Sequence, residues 1–346
     1  FFQAEDGIRD SWASRGLGDV YKRQGVYQIE ADGLELFEYI KGDRDSSMGL
    51  PVKEIISYIE QYKRWKKKFG IIGNPIKHSL APGLHNYSFD NYSLDANYSI
   101  IEATDKDLTQ IISKIKNRSL NGINITLPFK QRIINHVDKI INDAEQTGSV
   151  NTVIIDADNT IIGENTDVYG LQAAYLKEID NDFSKKSLVI GAGGVSPSVI
   201  LSLQKSGIQN ISVTNRTNEK CIFLKKKFNQ INILPWDSLE KEIKNFDIIV
   251  NATSLGLKNG DDFNFNFSKT KNEVIYIDTI YNPLETKTYK HLKEEGKKVF
   301  NGLDMFIYQG QKSFYLWNKI NPEIDDGLIE LLNSKLKWLK LALRDL

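Results

Sequence analysis

The sequence predicts an α/β protein of two domains, in which the first domain has a mostly parallel sheet and helices from the C-terminal end of the chain return to it. The chain has 346 residues, more than one ordinary domain, so each half can bury its own core. From Phe69 onward, short β-rich segments alternate with helical periods, which is typical of parallel sheets covered by helices. A second series of this kind starts at Ser187 and includes a glycine-rich turn.

The composition narrows the class of function. Hydrophobic residues make up 40% and charged residues 26% of the chain, as in ordinary globular proteins. The 45 basic and 45 acidic side chains balance, so we expect neither a nucleic acid nor a membrane as partner. The single cysteine, Cys221, has no partner for an internal disulfide. We therefore expect a cytoplasmic protein, monomeric or homodimeric, that acts on a small molecule.

Residues 1–24 differ in composition from the rest of the chain. They contain no asparagine and are rich in arginine, glycine and aspartate, whereas the following sequence is rich in isoleucine, lysine and asparagine. No methionine precedes Met48. The segment resembles translated sequencing-adapter read-through, and we interpret it as an artefactual tail without function.

Residues 25–68 form a second unusual segment. The pattern G-x-Y-x-I starts at Gly25, and I-x-G-D and G-L-P follow between Ile40 and Pro51. These motifs resemble the C-terminal end of the Maf-type nucleotide pyrophosphatases. The phosphate-holding part of that family is missing, so we expect no pyrophosphatase activity and interpret the segment as a run-on from an adjacent gene. The alternative is an extension packed on the enzyme. The basic run that ends it, residues 63–68, predicts a solvated linker.

The elements of the two series can be placed from their periodicity. In the first series, strands are predicted at residues 69–73, 98–102, 122–126 and 150–155. Helical spacing is found between them, at residues 84–92, 108–116 and 131–141, and a turn is predicted at residues 156–159. In the second series, strands are predicted at residues 187–190, 211–214, 247–251, 274–278 and 298–301. The tail from Phe306 is helical and is expected to fold back across the first unit.

The glycine-rich turn lies between a predicted strand and a predicted helix. Gly191, Gly193 and Gly194 would let the backbone turn tightly and approach a pyrophosphate, while the helix N-terminus offers free N–H groups. Ser196 occupies the third position of the usual G-x-G-x-x-G pattern, so the motif is a variant. The alternative is a purely structural strand-to-helix turn.

The next strand favours a nucleotide cofactor with a 2′-phosphate. It ends in Asn215, Arg216 and Thr217, where an NAD-binding unit would carry an acidic residue for the ribose hydroxyl. The Arg216 guanidinium suits a phosphate, and Lys220 adds a second cation one helical turn later. The second unit is therefore predicted to be a Rossmann-like NADP-binding domain, unless Arg216 is merely an exposed charge.

Polar side chains follow several strands of the first unit. Because ligands bind at the carboxyl ends of parallel strands, these residues form an inventory for a small polyhydroxylated anion. They are Ser79, Asn124, Thr126, Lys130, Asn151, Asn165, Thr166 and Asp167. Any one of them alone could be a turn or cap residue.

With these motifs in order, residues 69 to about 340 resemble the shikimate dehydrogenase family. The matching motifs are G-N-P-I-x-H-S, N-I-T-x-P-F-K, G-x-V-N-T, G-x-N-T-D-x-x-G, G-A-G-G, N-R-T, N-A-T-S-x-G, Y-N-P-x-x-T and G-L-x-M-x-x-x-Q. The resemblance implies reversible reduction of 3-dehydroshikimate with NADPH. It also implies a substrate-binding catalytic domain at residues 69–166 with 302–346, and an NADP-binding domain at residues 167–301.

The resemblance assigns roles to individual residues. Lys130 and Asp167 would be the catalytic acid–base pair. The substrate would be bound by Ser79, Asn124, Thr126, Asn151, Tyr281 and Gln309. NADP would be bound by Gly191, Ala192, Gly193, Gly194, Asn215, Arg216, Thr217, Lys220, Asn251, Thr253 and Gly302. No metal is expected, because no metal-ligand spacing links the 4 histidines.

One departure from the family pattern concerns the substrate. The family has H-S-x-S-P after the first strand, and here Ala81 replaces the second serine, which removes one hydroxyl from the substrate carboxylate. Two alternatives stay open. A quinate/shikimate dehydrogenase with relaxed specificity should have an acidic residue near Arg216, and a non-catalytic NADP-binding sensor should lack Lys130 or Asp167. A pyrophosphatase–dehydrogenase fusion is disfavoured by the truncated N-terminal match.

Overall fold

A computed structural model of the chain describes residues 67–179, 184–258 and 260–342. The predictions for residues 1–66, an artefactual tail followed by a Maf-like fragment and most of a basic linker, lie outside the described residues. Within the described part there are two six-stranded sheets with helices packed against them. The predicted α/β class with two sheet units is confirmed.

The first sheet contains β1 (Lys67–Gly73), β2 (Ala96–Glu102), β3 (Gly122–Ile125), β4 (Lys139–Ile140), β5 (Thr152–Ile155) and β6 (Ile161–Glu164). Its helices are α1 (Ala81–Asn91), α2 (Leu108–Lys116) and α3 (Asp143–Thr147). The strand order is β2-β1-β3-β5-β6-β4. Strand β1 is parallel to β2 and β3, and β4 is parallel to β6, whereas β5 runs antiparallel to both of its neighbours. The sheet is therefore mostly parallel, as predicted.

Helix α2 buries its apolar face in the core of the first sheet, as its sequence pattern predicts. Its apolar residues recur at the spacing of one helix face, and all of them are buried in the core of the first sheet. They are Leu108, Ile111, Ile112 and Ile115.

Helix α4 (Asp167–Ala174) leads from the first sheet to the second. The second sheet contains β7 (Lys186–Ile190), β8 (Asn210–Thr214), β9 (Asn232–Ile233), β10 (Ile248–Asn251), β11 (Ile275–Asp278) and β12 (Lys298–Phe300). Its helices are α5 (Ser196–Lys205), α6 (Asn218–Lys227), α7 (Leu239–Glu242) and α8 (Lys287–Glu294). The order β12-β11-β10-β7-β8-β9 with parallel pairing is that of a Rossmann fold. The order reverses between β7 and β10, which is where such folds bind ligands.

The last two helices, α9 (Leu303–Asn318) and α10 (Asp326–Ala342), return to the first sheet. Phe306, Phe314 and Leu332 belong to the same buried cluster as Phe69 of β1 and Leu84 of α1. This confirms the predicted return of the C-terminal helices. None of the helices in the described ranges is both long and apolar enough to cross a membrane.

The predicted helix at residues 131–141 is wrong. This segment forms a short 3-10 helix, Arg132–His136, followed by strand β4, which pairs with β6. Ile133 is buried and Ile140 is half-buried, and their spacing fits a helix as well as it fits the observed structure. Backbone pairing with the neighbouring strand β6 decides in favour of strand β4. The prediction also lacked β6 itself, which pairs antiparallel with β5 across the predicted turn at residues 156–159.

The first strand also begins earlier than predicted. Lys67 and Lys68, assigned above to the basic linker, pair with Ala96 and Asn97 of β2 and keep their side chains exposed. Their charge predicts solvent exposure correctly, but backbone pairing with β2 makes them part of the strand.

Candidate active site

Lys130 and Asp167 form an ion pair at the carboxyl end of the first sheet. Lys130 lies five residues after β3, and Asp167 is the first residue of α4. The Lys130 Nζ atom donates to Asp167 Oδ2 at 2.6 Å, and the two side chains are 13% and 5% exposed. A short, charge-assisted hydrogen bond in a nearly closed environment holds the ammonium group in one place.

Asn151 occupies the other oxygen of the carboxylate. Its Nδ2 donates to Asp167 Oδ1 at 2.8 Å and lies 3.3 Å from Gln309 Oε1. Gln309 is on α9, which approaches α4 closely because residue 170 is glycine. A Cβ atom at Gly170 would lie 2.7 Å from the carbonyl oxygen of Met305. The close helix contact therefore brings four predicted site residues into one hydrogen-bonded group.

Hydroxyl side chains connect Asn124 to the same hydrogen-bonded group of predicted site residues. Its Oδ1 accepts a hydrogen bond from the Tyr98 hydroxyl at 2.8 Å, and its Nδ2 donates to Ser313 Oγ at 2.9 Å and to Thr152 Oγ1 at 3.0 Å. Thr152 Oγ1 in turn donates to Asn151 Oδ1 at 3.1 Å. Sequence reasoning missed Tyr98, Thr152 and Ser313. Ser313 could have been found from its position one helical turn after Gln309.

The other predicted substrate residues lie at strand ends. Ser79 is half-buried, and its Oγ accepts from the backbone N–H of Ala81 at 3.2 Å. Thr126 directly follows β3 and lies so close to Gly73 that a Cβ atom there would overlap its methyl group. The Tyr281 ring packs 4.8 Å from the Phe306 ring, and burial raises the pKa of Tyr281 to about 12. Its phenol is therefore protonated and able to donate near neutral pH.

The glycine-rich turn has the geometry of a phosphate-binding loop. Gly191 has a φ of +114°, and a Cβ atom there would lie 2.8 Å from the carbonyl oxygen of Ala252, so the position requires glycine. Ser196 Oγ accepts from the Gly193 N–H and donates to the Gly191 carbonyl, both at 2.9 Å. The serine that makes the motif a variant therefore closes the turn. At Gly193 the nearest atom to an added Cβ is 3.9 Å away, which leaves room for a ligand.

Two exposed cations follow the neighbouring strand. Arg216 and Lys220 are exposed, and neither takes part in an ion pair within the described residues. Asn215 Oδ1 accepts from the Ala192 N–H at 3.2 Å, and Asn215 Nδ2 donates to the Thr217 carbonyl at 2.9 Å. The end of β8 is thus attached to the glycine-rich turn. The glycine-rich turn, the helix N-terminus and the two exposed cations fit a dinucleotide with an additional phosphate.

Among the remaining predicted cofactor residues, Asn251 contacts the buried Asp278, an aspartate that the sequence does not single out. Asn251 Nδ2 donates to Asp278 Oδ1 at 3.1 Å, and Asn251 Oδ1 accepts from the Thr253 N–H at 3.0 Å. Burial raises the pKa of Asp278 to about 6. The Gly302 backbone lies against Thr279, where a side chain would overlap the carbonyl group.

The loop that carries Lys130 contacts the glycine-rich turn. Leu127 is in the loop that carries Lys130, and a Cβ atom at Gly194 would lie 3.1 Å from its Cδ2. The Lys130–Asp167 ion pair therefore lies three residues along the chain from a contact with the glycine-rich turn. Such a site can transfer a proton where a cofactor transfers a hydride. Within the described ranges, no group of three or more His, Cys, Asp or Glu side chains could hold a metal ion.

Two family models match the chain. The model described as "Shikimate dehydrogenase substrate binding domain" matches residues 71–153, and the model described as "Shikimate / quinate 5-dehydrogenase" matches residues 174–283. The shikimate dehydrogenase (NADP(+)) of Pelagibacter ubique is 45% identical over 268 residues, which cover 78% of this chain and 99% of that protein.

Solved structures of similar proteins agree with this match. Shikimate dehydrogenase from Aquifex aeolicus has 35% identity and a TM-score of 0.71, over 78% of this chain and 97% of that one. Shikimate 5-dehydrogenase from Thermus thermophilus, solved in complex with NADP(H) and shikimate, has 29% identity and a TM-score of 0.70, over 78% of this chain and 99% of that one.

Proposed function

Because the chain belongs to the shikimate dehydrogenase family, we propose that it catalyses the reversible, NADPH-dependent reduction of 3-dehydroshikimate to shikimate. It is an NADP-dependent oxidoreductase that acts on a CH–OH group. The observation that carries the proposal is the Lys130–Asp167 ion pair at 2.6 Å beside the glycine-rich turn. A non-catalytic NADP sensor would have no need of a buried ion pair at this place.

Lys130 acts as the acid in the reduction. When bound, the nicotinamide supplies the hydride, and the ketone oxygen of the substrate becomes negatively charged. The Lys130 ammonium group stabilises this charge and donates a proton to the oxygen. Asp167 holds Nζ in position and shares its proton, and Asn151 fixes the second oxygen of the Asp167 carboxylate. In the oxidation of shikimate, the pair accepts the proton.

The substrate is bound by the polar groups around the pair. In this proposal Ser79 binds the carboxylate, and hydroxyl and amide groups bind the ring hydroxyls. These residues are Asn124, Thr126, Asn151, Tyr281 and Gln309. The support is that amide and hydroxyl side chains are hydrogen-bonded to one another and, through Asn151, to Asp167. The complex of the similar Thermus thermophilus enzyme with shikimate and NADP(H) supports the choice of ligands.

NADP binds along the carboxyl edge of the second sheet. The backbone of residues 191–194 receives the pyrophosphate, and Asn215, Arg216, Thr217 and Lys220 surround the 2′-phosphate. Asn251, Thr253 and Gly302 line the nicotinamide end. We assign residues 67–166 with 302–346 to the substrate-binding catalytic domain and residues 167–301 to the NADP-binding domain, with the N-terminal boundary moved from residue 69 to the start of β1.

The remaining parts of the proposal concern the cellular context. The enzyme acts in the cytoplasm as a monomer or homodimer, and it requires no nucleic acid partner. In this proposal residues 1–24 are an artefactual tail and residues 25–66 a Maf-like fragment with a basic linker, and neither takes part in the chemistry.

The test is an assay of NADP⁺ reduction by the purified full chain, with shikimate and quinate supplied side by side. We expect reduction with shikimate and much slower reduction with quinate. Comparable rates with both substrates would favour the quinate/shikimate alternative. Absence of reduction with shikimate would contradict the proposal.

A further inference from the structure

Asn165 is a polar residue of the predicted strand-end set to which the proposed mechanism gives no role. Its side chain is buried, with 2% of the residue exposed. Asn165 Oδ1 accepts from the backbone N–H of Asp167 at 3.0 Å. Asn165 Nδ2 donates to the Ser149 carbonyl at 2.8 Å and to Ser198 Oγ at 3.0 Å. One side chain therefore connects the start of α4, the loop before β5 and helix α5.

Helix α5 continues this connection to the glycine-rich turn. Ser198 is fully buried and lies two residues after Ser196, in the first turn of α5. Ser196 makes the two hydrogen bonds that close the turn at Gly191 and Gly193. The path from the turn to Asp167 thus consists of one turn of a helix and one asparagine side chain.

Helix α5 is also held to helix α3, at a point next to Asn165. Lys205 at the end of α5 forms an ion pair with Asp143 at the start of α3. Asn165 Nδ2 also lies 3.1 Å from Thr147 Oγ1 at the end of α3. Helices α3 and α5 therefore meet at both ends of their contact, and Asn165 lies at the end next to Asp167.

We propose that Asn165 and Ser198 are positioning residues that set the place of the Lys130–Asp167 pair relative to the glycine-rich turn. The inference rests on the proposed function and deepens it. Hydride transfer requires the reacting carbon atoms to approach within about 3–3.5 Å, and a misplacement of about 1 Å costs up to a hundredfold in rate. The Lys130–Asp167 pair positions the proton donor, and the glycine-rich turn positions the cofactor. The contact between Asn165 and Ser198 links these two parts, so it controls the rate of the chemical step.

The test compares two buried serines on the same helix. Ser198→Ala removes the hydroxyl that contacts Asn165, and the Asn165 amide keeps its bonds to Ser149 and Thr147, so folding is preserved. Ser202→Ala is the matched control. Its hydroxyl is equally buried, but among the described residues it bonds only to the Val199 carbonyl of its own helix.

We expect kcat for 3-dehydroshikimate reduction to fall about tenfold in Ser198→Ala and to stay near the wild-type value in Ser202→Ala. The KM values for substrate and NADPH should stay within about twofold in both variants. With NADPH deuterated at the transferred position, the isotope effect on kcat in Ser198→Ala should equal or exceed that of the wild type, because hydride transfer is the slowed step. A merely structural role for Ser198 would lower the melting temperature without this pattern.

Asn165→Ala provides a second test of the contact between Asn165 and Ser198. The double variant Ser198→Ala/Asn165→Ala should be no slower than Asn165→Ala alone, because both substitutions remove the same contact. If Asn165→Ala does not fold, Ser198→Ala decides the question. Equal kcat values in Ser198→Ala and Ser202→Ala, or a smaller isotope effect in Ser198→Ala, would overturn the inference alone. A wild-type chain inactive on 3-dehydroshikimate would overturn the proposed function and this inference with it.

Discussion

Lys130 is charged, and yet its side chain is only 13% exposed. A buried ammonium group is stable here because the Asp167 carboxylate accepts its hydrogen bond at 2.6 Å. Removal of the Lys130 ammonium group leaves the Asp167 carboxylate in place. The negative charge that develops on the substrate oxygen then loses the cation that stabilises it. The consequences belong to the transition state rather than to substrate binding.

We therefore expect Lys130→Ala to lower kcat by about a hundredfold or more with a modest change in KM. Lys139→Ala, which removes an exposed lysine on β4, is the control and should leave kcat unchanged. Steady-state kinetics of shikimate oxidation measure both. An unchanged kcat in Lys130→Ala would refute its role as the acid.

In the proposed function, Arg216 is the residue that selects NADP over NAD. Its exposed guanidinium, unpaired within the described residues, is a suitable partner for the 2′-phosphate. Arg216→Ala should therefore erase most of the preference for NADP over NAD. Lys226→Ala removes another exposed cation, in the last turn of helix α6, which begins after Arg216, and should keep the preference. The measurement is kcat/KM for both cofactors, and equal use of both by the wild type would contradict the specificity argument.

Ala81 replaces a hydroxyl donor at the start of α1. Its side chain is 3% exposed, and its N–H already bonds Ser79 Oγ. Ala81→Ser should lower the KM for shikimate several-fold, because a hydrogen bond to a charged group contributes roughly 1.5–3 kcal/mol and a water molecule can replace part of it. The value of kcat should barely change. Ala144→Ser, a buried control on α3, should leave KM unchanged. A raised KM in Ala81→Ser would mean that the loop is shaped around alanine.

At the level of elements, Asp278 connects strands and loops of the second sheet. Its Oδ1 accepts from Asn251 on β10 and from the Ile280 N–H, and its Oδ2 accepts from Thr286 before α8 at 2.8 Å. These bonds hold the loop that leads to Tyr281. Burial still outweighs them and raises the pKa of Asp278 to about 6.

This raised pKa predicts a pH dependence of stability. The folded protein binds the Asp278 proton more tightly than the unfolded chain, so the contribution of this group to stability is present below about pH 4 and is lost as the pH rises to about 6. Asp278→Asn cannot ionise. Relative to the wild type, its free energy of unfolding should therefore increase between pH 4 and pH 7, by roughly 3 kcal/mol at most. Urea denaturation at several pH values measures the difference. Asp158→Asn, at an exposed turn, is the control, and parallel pH curves for Asp278→Asn and the wild type would contradict the argument.

For the whole molecule, the question is which part of the chain the enzyme needs. The family models match from residue 71 onward, and the residues assigned to substrate and cofactor lie after Gly73. A chain that starts with methionine at residue 66 should therefore fold and keep kcat/KM within about twofold of the full chain. A deletion through Gly73 is the control. It removes β1, which pairs with both β2 and β3, and should abolish folding. Failure of the shorter deletion to fold would mean that the N-terminal segment is structural.

The sequence by itself determined the α/β class, the family and the choice of NADP. The class and the cofactor follow from local features: alternating strand and helix periods, a glycine-rich turn directly after a strand, and an arginine where an NAD enzyme has an acidic residue. The family follows from the resemblance of nine motifs in order. It also pointed to Lys130, Asp167 and the amides around them, because polar residues at the ends of parallel strands meet at one edge of a sheet.

Only the tertiary structure decided the contacts between distant residues. Asn124 and Ser313 are 189 residues apart and bond at 2.9 Å, and Asn165 and Ser198 join elements of different sheets. Strand β4 likewise depends on β6, because an apolar pattern that fits both a helix and a strand is resolved by the backbone groups available beside it. Local patterns record which face of an element is apolar, but they do not record the partner against which that face is buried. The partner is set when the chain packs, and it decides which polar side chains reach the catalytic pair.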